Sequence, residues 1–189
     1  MAKNIYLLGS TGSIGSSTLN VIRNNKKKFS LKLLTTNNNV AKIYKQAKEF
    51  HVPKIIIFNK EKYLKNKIFF KKKNIKVYNT INDALKKNKK KSFLTINAIS
   101  GIEGLEPSIK IIKHSKNLAI ANKESIICGW QFIKKELKKN KTNFIPLDSE
   151  HFSIWTLLKG ENLKNINKIY ITASGGPFLK KNLNSIKNA

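Results

Sequence analysis

Residues 4–22, with the sequence NIYLLGSTGSIGSSTLNVI, decide the fold class of this chain. The stretch opens on a short apolar run typical of a buried β-strand and continues, over 14–24, with the apolar spacing of an amphipathic helix. Gly9, Gly12 and Gly15 lie between them in a G-x-x-G-x-x-G turn. Such a turn lets the backbone approach a pyrophosphate, and the helix that follows supplies N–H donors and a partial positive charge. The stretch therefore predicts a dinucleotide-binding unit; the alternative is a Gly/Ser turn that binds nothing.

Short apolar runs and longer helix-like stretches alternate to about residue 147, which is typical of βαβ units around a parallel sheet. The expected strands are 4–9, 31–36, 54–58, 92–98, 118–121 and 143–147, and the expected helices lie near 14–24, 40–50, 80–88, 104–113 and 129–139. Residues 60–78 are expected to hold a short helix and then a strand at 75–78, and a last strand is expected over 166–173. We therefore expect an α/β fold with a Rossmann-like, doubly wound and mostly parallel sheet, and a domain boundary close to residues 146–150.

Composition excludes several classes of protein. With 189 residues, 40% of them hydrophobic and 25% charged, the chain can bury a core, and its apolar runs are shorter than the roughly 20 residues of a membrane helix. Cys128 is the only cysteine, which excludes an internal disulfide and favours a reducing compartment. The first residues have neither a signal nor a transit pattern, so we expect a cytoplasmic protein.

The formal net charge of +28 raises the question of a nucleic-acid partner. Of the 38 cationic residues only Arg23 is an arginine, whereas guanine and phosphate are bound best by the planar guanidinium. We therefore expect the lysine runs to be solvated faces and loops and a nucleic-acid partner to be absent, with a polyanion site as the alternative; the runs are 26–28, 71–73, 86–91 and 134–141.

The end of the expected second strand bears on the choice of dinucleotide. An NAD site places an acid there to bind the ribose hydroxyls. No Asp or Glu occurs between Gly9 and Lys48, and the strand is followed by Asn37, Asn38 and Asn39. Neutral donors among lysines tolerate an added 2′-phosphate, so the sequence favours NADP; the alternative is that the Asn run is only a loop and helix cap.

Asp148 and Glu150 lie two residues apart after the expected strand 143–147. In an extended chain these side chains point to the same face, where two carboxylates can converge on a hard cation such as Mg²⁺ or Mn²⁺. The alternative is a chance triplet. His151 is expected to be a satisfied surface or core histidine rather than a ligand.

Two further polar clusters follow strands. Asn122-Lys123-Glu124-Ser125 offers a lysine for a substrate oxygen or phosphate, or else an ion pair at a helix start. Ser174-Gly175-Gly176-Pro177 offers an anion-binding nest or else a tight turn. Cys128, without a partner at a telling spacing, is expected to be buried packing.

Five motifs together resemble one family, 1-deoxy-D-xylulose 5-phosphate reductoisomerase. They are GSTGSIG at 9–15, NAISGIEGLEPS at 97–108, LAIANKESIICGW at 118–130, PLDSEHFSI at 146–154 and TASGGPF at 172–178. The resemblance covers nearly the whole chain. It implies an NADPH-dependent oxidoreductase and isomerase that makes 2-C-methyl-D-erythritol 4-phosphate in non-mevalonate isoprenoid biosynthesis.

The resemblance also implies roles for single residues. Those assigned to NADPH are Thr11, Gly12, Ser13 and Ile14 at the pyrophosphate, Asn37, Asn38 and Asn39 at the adenosine end, and Asn122 and Glu124. Asn37 and Asn38 stand where the family often has Gly-Lys. Those assigned to the substrate and the cation are Lys123, Ser149, Glu150 and Ser174 for the sugar phosphate, and Asp148 and Glu150 for Mg²⁺, Mn²⁺ or Co²⁺.

The implied organisation is an NADPH-binding Rossmann-like domain over 1–147 and the beginning of an α+β catalytic, metal-binding domain over 148–189. The cation acts as a Lewis acid in a carbon-skeleton rearrangement, and NADPH reduces the resulting aldehyde. Family members are homodimers of about twice this length. We therefore expect the 189 residues to be part of a longer enzyme and to show little or no turnover alone.

Two alternatives remain open. One is another NADP-dependent Rossmann reductase such as a semialdehyde dehydrogenase, which needs a nucleophilic cysteine with a histidine partner. The other is a basic nucleic-acid-binding domain without enzymatic activity, whose affinity falls steeply with salt.

Overall fold

The structure is a computed structural model that describes residues 2–88 and 90–171. Strands and helices alternate along the first 150 of these residues, as expected. The strands are β1 (Lys3–Leu8), β2 (Phe29–Thr36), β3 (Lys54–Ile57), β4 (Lys76–Tyr78), β5 (Ser92–Asn97), β6 (Ser115–Ile120) and β7 (Asn143–Pro146). The helices are α1 (Ser13–Arg23), α2 (Val40–Glu49), α3 (Lys60–Lys72), α4 (Ile81–Leu85), α5 (Leu105–Ile112), α6 (Lys123–Asn140) and α7 (Ser149–Leu157), with short 3₁₀ turns at Ile102–Gly104 and Leu163–Asn165.

The seven strands form one sheet in the order β4-β3-β2-β1-β5-β6-β7, and every neighbouring pair is parallel. The chain first builds outward from β1 to β4 and then returns to the other side of β1 with β5. The carboxyl ends of β1 and β5 therefore flank the point at which the strand order reverses. In open α/β sheets, ligands bind outside the carboxyl ends of the strands at this point.

The core lies on both faces of the sheet, which explains why the strands are almost continuously apolar. Along β1, Ile5 and Leu7 contact one apolar cluster, while Tyr6 and Leu8 contact the other. Helices α1, α2 and α3 contribute to the first cluster, and α4, α5 and α6 contribute to the second. The prediction of a Rossmann-like doubly wound sheet is confirmed.

Three expected elements differ from the structure. Helix α6 begins at Lys123 rather than near 129, because the side chain of Asn122 caps it by accepting the N–H of Ser125 at 2.9 Å. Helix α4 ends at Leu85 rather than 88, and the side chain of Asn88 instead accepts from Lys54 Nζ and donates to Tyr6 Oη.

The prediction of a strand over 166–173 is wrong for residues 166–171, which form no strand. Residues 172 and 173 lie outside the described residues. Ile169, Tyr170 and Ile171 are exposed, and no described strand pairs with them. An unpaired strand has no sheet in which to satisfy its backbone groups.

The chain divides into two compact units, residues 1–152 and 153–189. The sheet and both apolar clusters belong to the first unit. Within the described ranges, no helix has both the length and the apolar character needed to cross a lipid bilayer.

Candidate functional site

The turn between β1 and α1 is so tight that two of its glycines cannot be replaced without movement. Gly9 has a positive φ of 73°, and its N–H donates to Thr35 Oγ1 at 2.9 Å. A Cβ at Gly9 would lie 2.8 Å from the carbonyl oxygen of Ala98, the residue that follows β5. A Cβ at Gly15 would collide with the backbone of Gly9 and Ser10. These two glycines therefore let the turn close against the sheet.

Gly12 has a different role, because a Cβ there would meet nothing nearer than the Gly9 carbonyl oxygen at 3.6 Å. It precedes the first residue of α1 and offers no capping side chain. The first-turn N–H groups of a helix have no intrahelical acceptor, and here Ser13 and Ile14 are exposed. The open face of this turn and the helix N-terminus fit an anion such as a pyrophosphate.

The turn is fixed from below by two residues of α2. Ser10 is buried, and its hydroxyl and carbonyl bond to the amide of Gln46 at 2.8 and 3.0 Å. Lys42 Nζ donates to Thr11 O at 2.8 Å and to Ser16 Oγ at 3.0 Å. Neither residue could be found from the sequence, since no local motif connects α2 to a turn about 30 positions earlier. The turn is thus held in shape before any ligand arrives.

The Asn37–Asn39 loop lies at the carboxyl end of β2 and is exposed. Asn39 caps α2 by accepting the N–H of Lys42 at 3.0 Å. A small cavity of about 180 Å³ joins this loop to the glycine turn, with lining residues that include Gly9, Gly12 and Asn37. The structure therefore brings two of the predicted cofactor segments to one depression.

A second cavity, of about 620 Å³, shares four lining residues with the first: Asn37, Phe58, Ile99 and Ser100. It extends along the carboxyl edge of the sheet toward α5. Glu103 and Glu106 also line it, and Glu106 is paired with Lys110 at 2.5 Å. The two cavities together form a continuous groove across the strand-order reversal.

The Asn122–Ser125 cluster begins α6. The buried amide of Asn122 is bonded at both ends, because its oxygen accepts from Ser125 N–H and its nitrogen donates to Ile99 O at 2.6 Å. Lys123 and Glu124 are exposed on the first turn. Cys128 is exposed on α6, so the expectation that it is buried packing is wrong; it lies on the solvent side of a helix whose buried face is made by residues such as Ser125 and Gly129.

The expectation that Asp148 and Glu150 occupy alternate positions of an extended strand is wrong. Strand β7 ends at Pro146 and α7 begins at Ser149, because the Oδ1 atom of Asp148 accepts the backbone N–H of His151 at 3.1 Å and so caps the helix. The same oxygen contacts His151 Nδ1 at 2.5 Å. His151 is thus satisfied by a neighbour, as expected.

The charge state of these carboxyls suits a cation. Burial alone raises the pKa of Asp148, but the backbone N–H and ring of His151 outweigh it and the pKa is lowered. The pKa of Glu150 is also lowered, first by hydrogen bonds from its own N–H and the Ser149 hydroxyl and further by the charge of Lys123. Lys123 and Glu150 therefore share one neighbourhood.

One oxygen of this pair has no partner. Asp148 Oδ2 is buried and accepts no hydrogen bond from the described residues. A buried carboxylate oxygen without a donor fits a divalent cation. Over 2–88 and 90–171 no third acid, histidine or cysteine joins the two carboxylates, so these ranges supply only part of a coordination shell. Ser174 lies outside the described residues.

Two family models match the chain. The one described as 1-deoxy-D-xylulose 5-phosphate reductoisomerase matches residues 5–129, and the one for the C-terminal domain of the same enzyme matches residues 144–189. A relative from Pelagibacter ubique (strain HTCC1062), named 1-deoxy-D-xylulose 5-phosphate reductoisomerase, is 49% identical over 98% of this chain and 48% of its own length.

Two solved structures carry the same enzyme name. The one from Zymomonas mobilis, in complex with NADPH, has a TM-score of 0.84 at 29% identity and covers 98% of this chain and 49% of its own. The other, in complex with magnesium, has a TM-score of 0.80 at 27% identity and covers 100% and 50%. The chain spans about half the length of the relatives it matches. Since the first family model alone covers more than half of the residues, the resemblance seen in the five motifs is confirmed, and the chain belongs to the 1-deoxy-D-xylulose 5-phosphate reductoisomerase family.

Proposed function

We propose that these residues are the NADPH-binding and cation-binding part of an enzyme that converts 1-deoxy-D-xylulose 5-phosphate to 2-C-methyl-D-erythritol 4-phosphate. The observation that carries this proposal is the placement of a phosphate-binding turn and a pair of carboxylates at the same edge of one sheet. The turn follows β1 and the carboxylates follow β7, three strands away, which is roughly 14 Å at the usual strand spacing. Relatives of this chain bind NADPH and magnesium.

NADPH is the cofactor that the groove fits. The first-turn N–H groups of α1, at Ser13 and Ile14, would hold the pyrophosphate, with Thr11 and Gly12 at its side. Asn37, Asn38 and Asn39 would contact the adenosine end, because Asn37 of their loop lines both cavities. Glu124 and Asn122 would border the other end of the groove, with the amide of Asn122 positioned by Ile99 O and Ser125 N–H.

A divalent cation, Mg²⁺, Mn²⁺ or Co²⁺, would be held by the carboxylates of Asp148 and Glu150, with Asp148 Oδ2 free of donors from the described residues. When bound, the cation polarises the oxygens of the sugar phosphate as a Lewis acid. Asp148 keeps its other oxygen on the α7 N-terminus and His151, which fixes the orientation of the carboxylate. Lys123, beside Glu150, would bind a substrate oxygen or phosphate, and Ser149 and Ser174 would complete the substrate site.

The proposal includes the organisation of the protein. We assign NADPH binding to residues 1–147 and the beginning of the catalytic domain to 148–189, with a homodimer in the cytoplasm as the working form. The exposed thiol of Cys128 is compatible with a reducing compartment. The exposed apolar side chains of Ile127 and Phe132 on α6 offer a surface that a second subunit can cover.

A chimera tests the proposed function. Residues 1–189 replace the matching half of the Pelagibacter ubique relative, and NADPH consumption and product formation from 1-deoxy-D-xylulose 5-phosphate are measured with Mg²⁺ present. We expect turnover by the chimera and little or none by the 189 residues alone. Asp148→Asn in the chimera should lower kcat at least about a hundredfold, because the amide keeps the helix cap but loses the charge that holds the cation.

Glu136→Gln is the matched control, since it removes one acid of α6 that pairs only loosely with Lys139, at 3.8 Å. It should leave kcat unchanged. A folded chimera that binds NADPH but does not consume it with this substrate would contradict the proposed function. Full activity of the Asp148→Asn chimera would contradict the assignment of the cation site alone.

A further inference from the structure

The loop after β2 is bonded directly to the loop after β3. The N–H of Phe58 donates to Thr36 O at 3.0 Å, and the N–H of Asn59 donates to Asn37 O at 3.4 Å. Helix α3 starts one residue later, at Lys60, with Asn59 as its cap. The first turn of α3 is therefore held beside the Asn37–Asn39 loop by backbone contacts that do not depend on any ligand.

Lys62 in this first turn reaches the loop. Its Nζ donates to the carbonyl oxygen of Asn38 at 3.1 Å, across 24 positions of sequence, and its side chain is exposed. An ammonium group has three donors, so two remain for another acceptor. The contact holds a full positive charge at the place where the second strand ends, which in NAD sites is occupied by an acid.

The other charges around the groove have other partners or positions. The ammonium group of Lys42 donates to Thr11 O and Ser16 Oγ at the glycine turn. Glu106 is paired with Lys110, and Glu103 lines the large cavity on the α5 side. Neither Glu61 nor Lys62 lines the two cavities, and Lys62 is distinguished from its neighbour by the bond of its ammonium to Asn38 O. Among the described lysines, Lys62 is the one whose ammonium donates to a carbonyl oxygen of the Asn37–Asn39 loop.

We propose that Lys62 is the residue that selects NADPH over NADH, by donating to the 2′-phosphate of the adenosine ribose. This inference rests on the proposed function for the presence of the dinucleotide, and it adds the residue that reads its phosphate. The side chains of Asn37 and Asn38 supply neutral donors around the same phosphate, and neither repels it. Lys62 of α3 thereby supplies the positive charge for the phosphate, because the three asparagines of the loop carry none.

Binding measurements on the 189-residue chain test this. The dissociation constants of NADPH and NADH are measured by titration calorimetry for the wild type, Lys62→Gln, Lys62→Arg and Lys67→Gln. Lys67 carries the same charge on the same helix but lines a cavity beside β4, whereas Lys62 bonds to Asn38 O. Lys62→Gln should weaken NADPH about tenfold, the loss expected of one charge-assisted hydrogen bond, and leave NADH unchanged. Lys62→Arg should restore most of the preference, and Lys67→Gln should match the wild type.

The outcomes separate this inference from the proposed function. If the wild type binds NADPH and Lys62→Gln keeps the same ratio of the two affinities, the assignment of Lys62 is overturned and the cofactor site stands. If Lys62→Gln weakens both dinucleotides equally, Lys62 shapes the loop and does not read the phosphate, which also overturns the assignment. If the wild type binds neither dinucleotide, the cofactor part of the proposed function fails together with it. Thermal unfolding of each variant confirms that the fold is retained.

Discussion

Toward the amino end of the sheet the hydroxyls of Ser92, Thr95 and Ser115 are buried and bond to one another, whereas at the carboxyl end the Asn37–Asn39 loop and the first turn of α1 are exposed. The buried chain has oxygen–oxygen distances of 2.8 and 2.6 Å. Thr142 extends it by donating to Ser115 O at 2.8 Å. Polar groups at the amino end are thus satisfied within the protein.

This contrast shows which end of the sheet retains polar groups that can bind a ligand. Buried hydroxyls that bond to one another stabilise the fold but have nothing left for a ligand. At the carboxyl end, every helix that follows a strand presents first-turn N–H groups, and a capping side chain satisfies only one or two of them. A substitution at the amino end should therefore change stability, and one at the carboxyl end should change binding. Gly15 is expected to be the strongest exception to this rule, because its substitution should change stability as well as binding.

Gly15→Ala is expected to have the largest effect. It should destabilise the fold although Gly15 lies at the carboxyl end of the sheet. The added Cβ meets backbone atoms of Gly9 and Ser10, which cannot move without opening the turn. Overpacking of this kind costs about 3 kcal/mol, against a gain of about 1 kcal/mol from replacing glycine by alanine in a helix. We expect a net loss of about 2 kcal/mol or more in the free energy of unfolding, measured by urea denaturation, together with loss of NADPH binding.

Ser17→Ala is the control for this variant, because Ser17 lies on the same helix and is exposed. It should change the free energy of unfolding by less than about 0.5 kcal/mol. Unchanged stability of Gly15→Ala would mean that the turn is loose enough to accept a methyl group, and the tight closure of the turn on the sheet would then be wrong.

The architecture was predictable from sequence because its signals are local. Residues such as Ile5 to Leu8 are apolar on both sides of the strand, and this continuous pattern occurs when helices cover both faces of a sheet. Element ends were less predictable where a single side chain decides them. Asn122 starts α6 directly after β6, although Ile126 and Ile127 continue an apolar pattern that also suits a strand.

The candidate site was predictable only in part. The glycine turn is a local motif, so Gly9 to Gly15 could be assigned from spacing. Asp148 and Glu150 were singled out by their rarity, but the geometry assumed for them was wrong, because Asp148 caps α7. Lys42 and Lys62 could not be found, since Lys42 contacts the glycine turn and Lys62 contacts the Asn37–Asn39 loop from helices whose positions are fixed by tertiary packing. Among so many lysines, no composition signal separates these two from the rest.

Gly12→Ala is expected to have an intermediate effect and to separate binding from folding. Its Cβ has room in the protein, with the nearest atom 3.6 Å away, so the free energy of unfolding should change by less than about 1 kcal/mol. The methyl group would occupy the open face that the pyrophosphate must approach. We expect the dissociation constant of NADPH to rise at least about tenfold, measured by titration calorimetry. Equal binding by this variant and the wild type would place the dinucleotide elsewhere.

The smallest expected effect concerns the pH dependence of stability and lies at the amino end, at His114 before β6. Its backbone is fixed by contacts to Ile111 and Ser92, and its ring nitrogen Nε2 is buried without a partner among the described residues. Burial lowers the pKa of His114 below its ordinary value of 6.5, and the charges of Lys113 and Lys91 lower it further. The unfolded chain therefore binds a proton at this residue more readily than the folded chain does.

The sign of the effect follows from that preference. Stability contributed by neutral His114 is fully present above about pH 6.5 and is lost as the pH falls through the lowered pKa of the folded state. One proton corresponds to at most about 1.4 kcal/mol per pH unit, and solvent around the half-buried ring reduces this. His114→Gln should give a flatter curve of unfolding free energy between about pH 5 and pH 7. Parallel curves for the variant and the wild type would show that the ring exchanges protons freely with water, and the amino end would then be less closed than the buried hydroxyl chain indicates. NADPH binding at pH 7 should be the same in both, because His114 lies at the opposite end of the sheet from the groove.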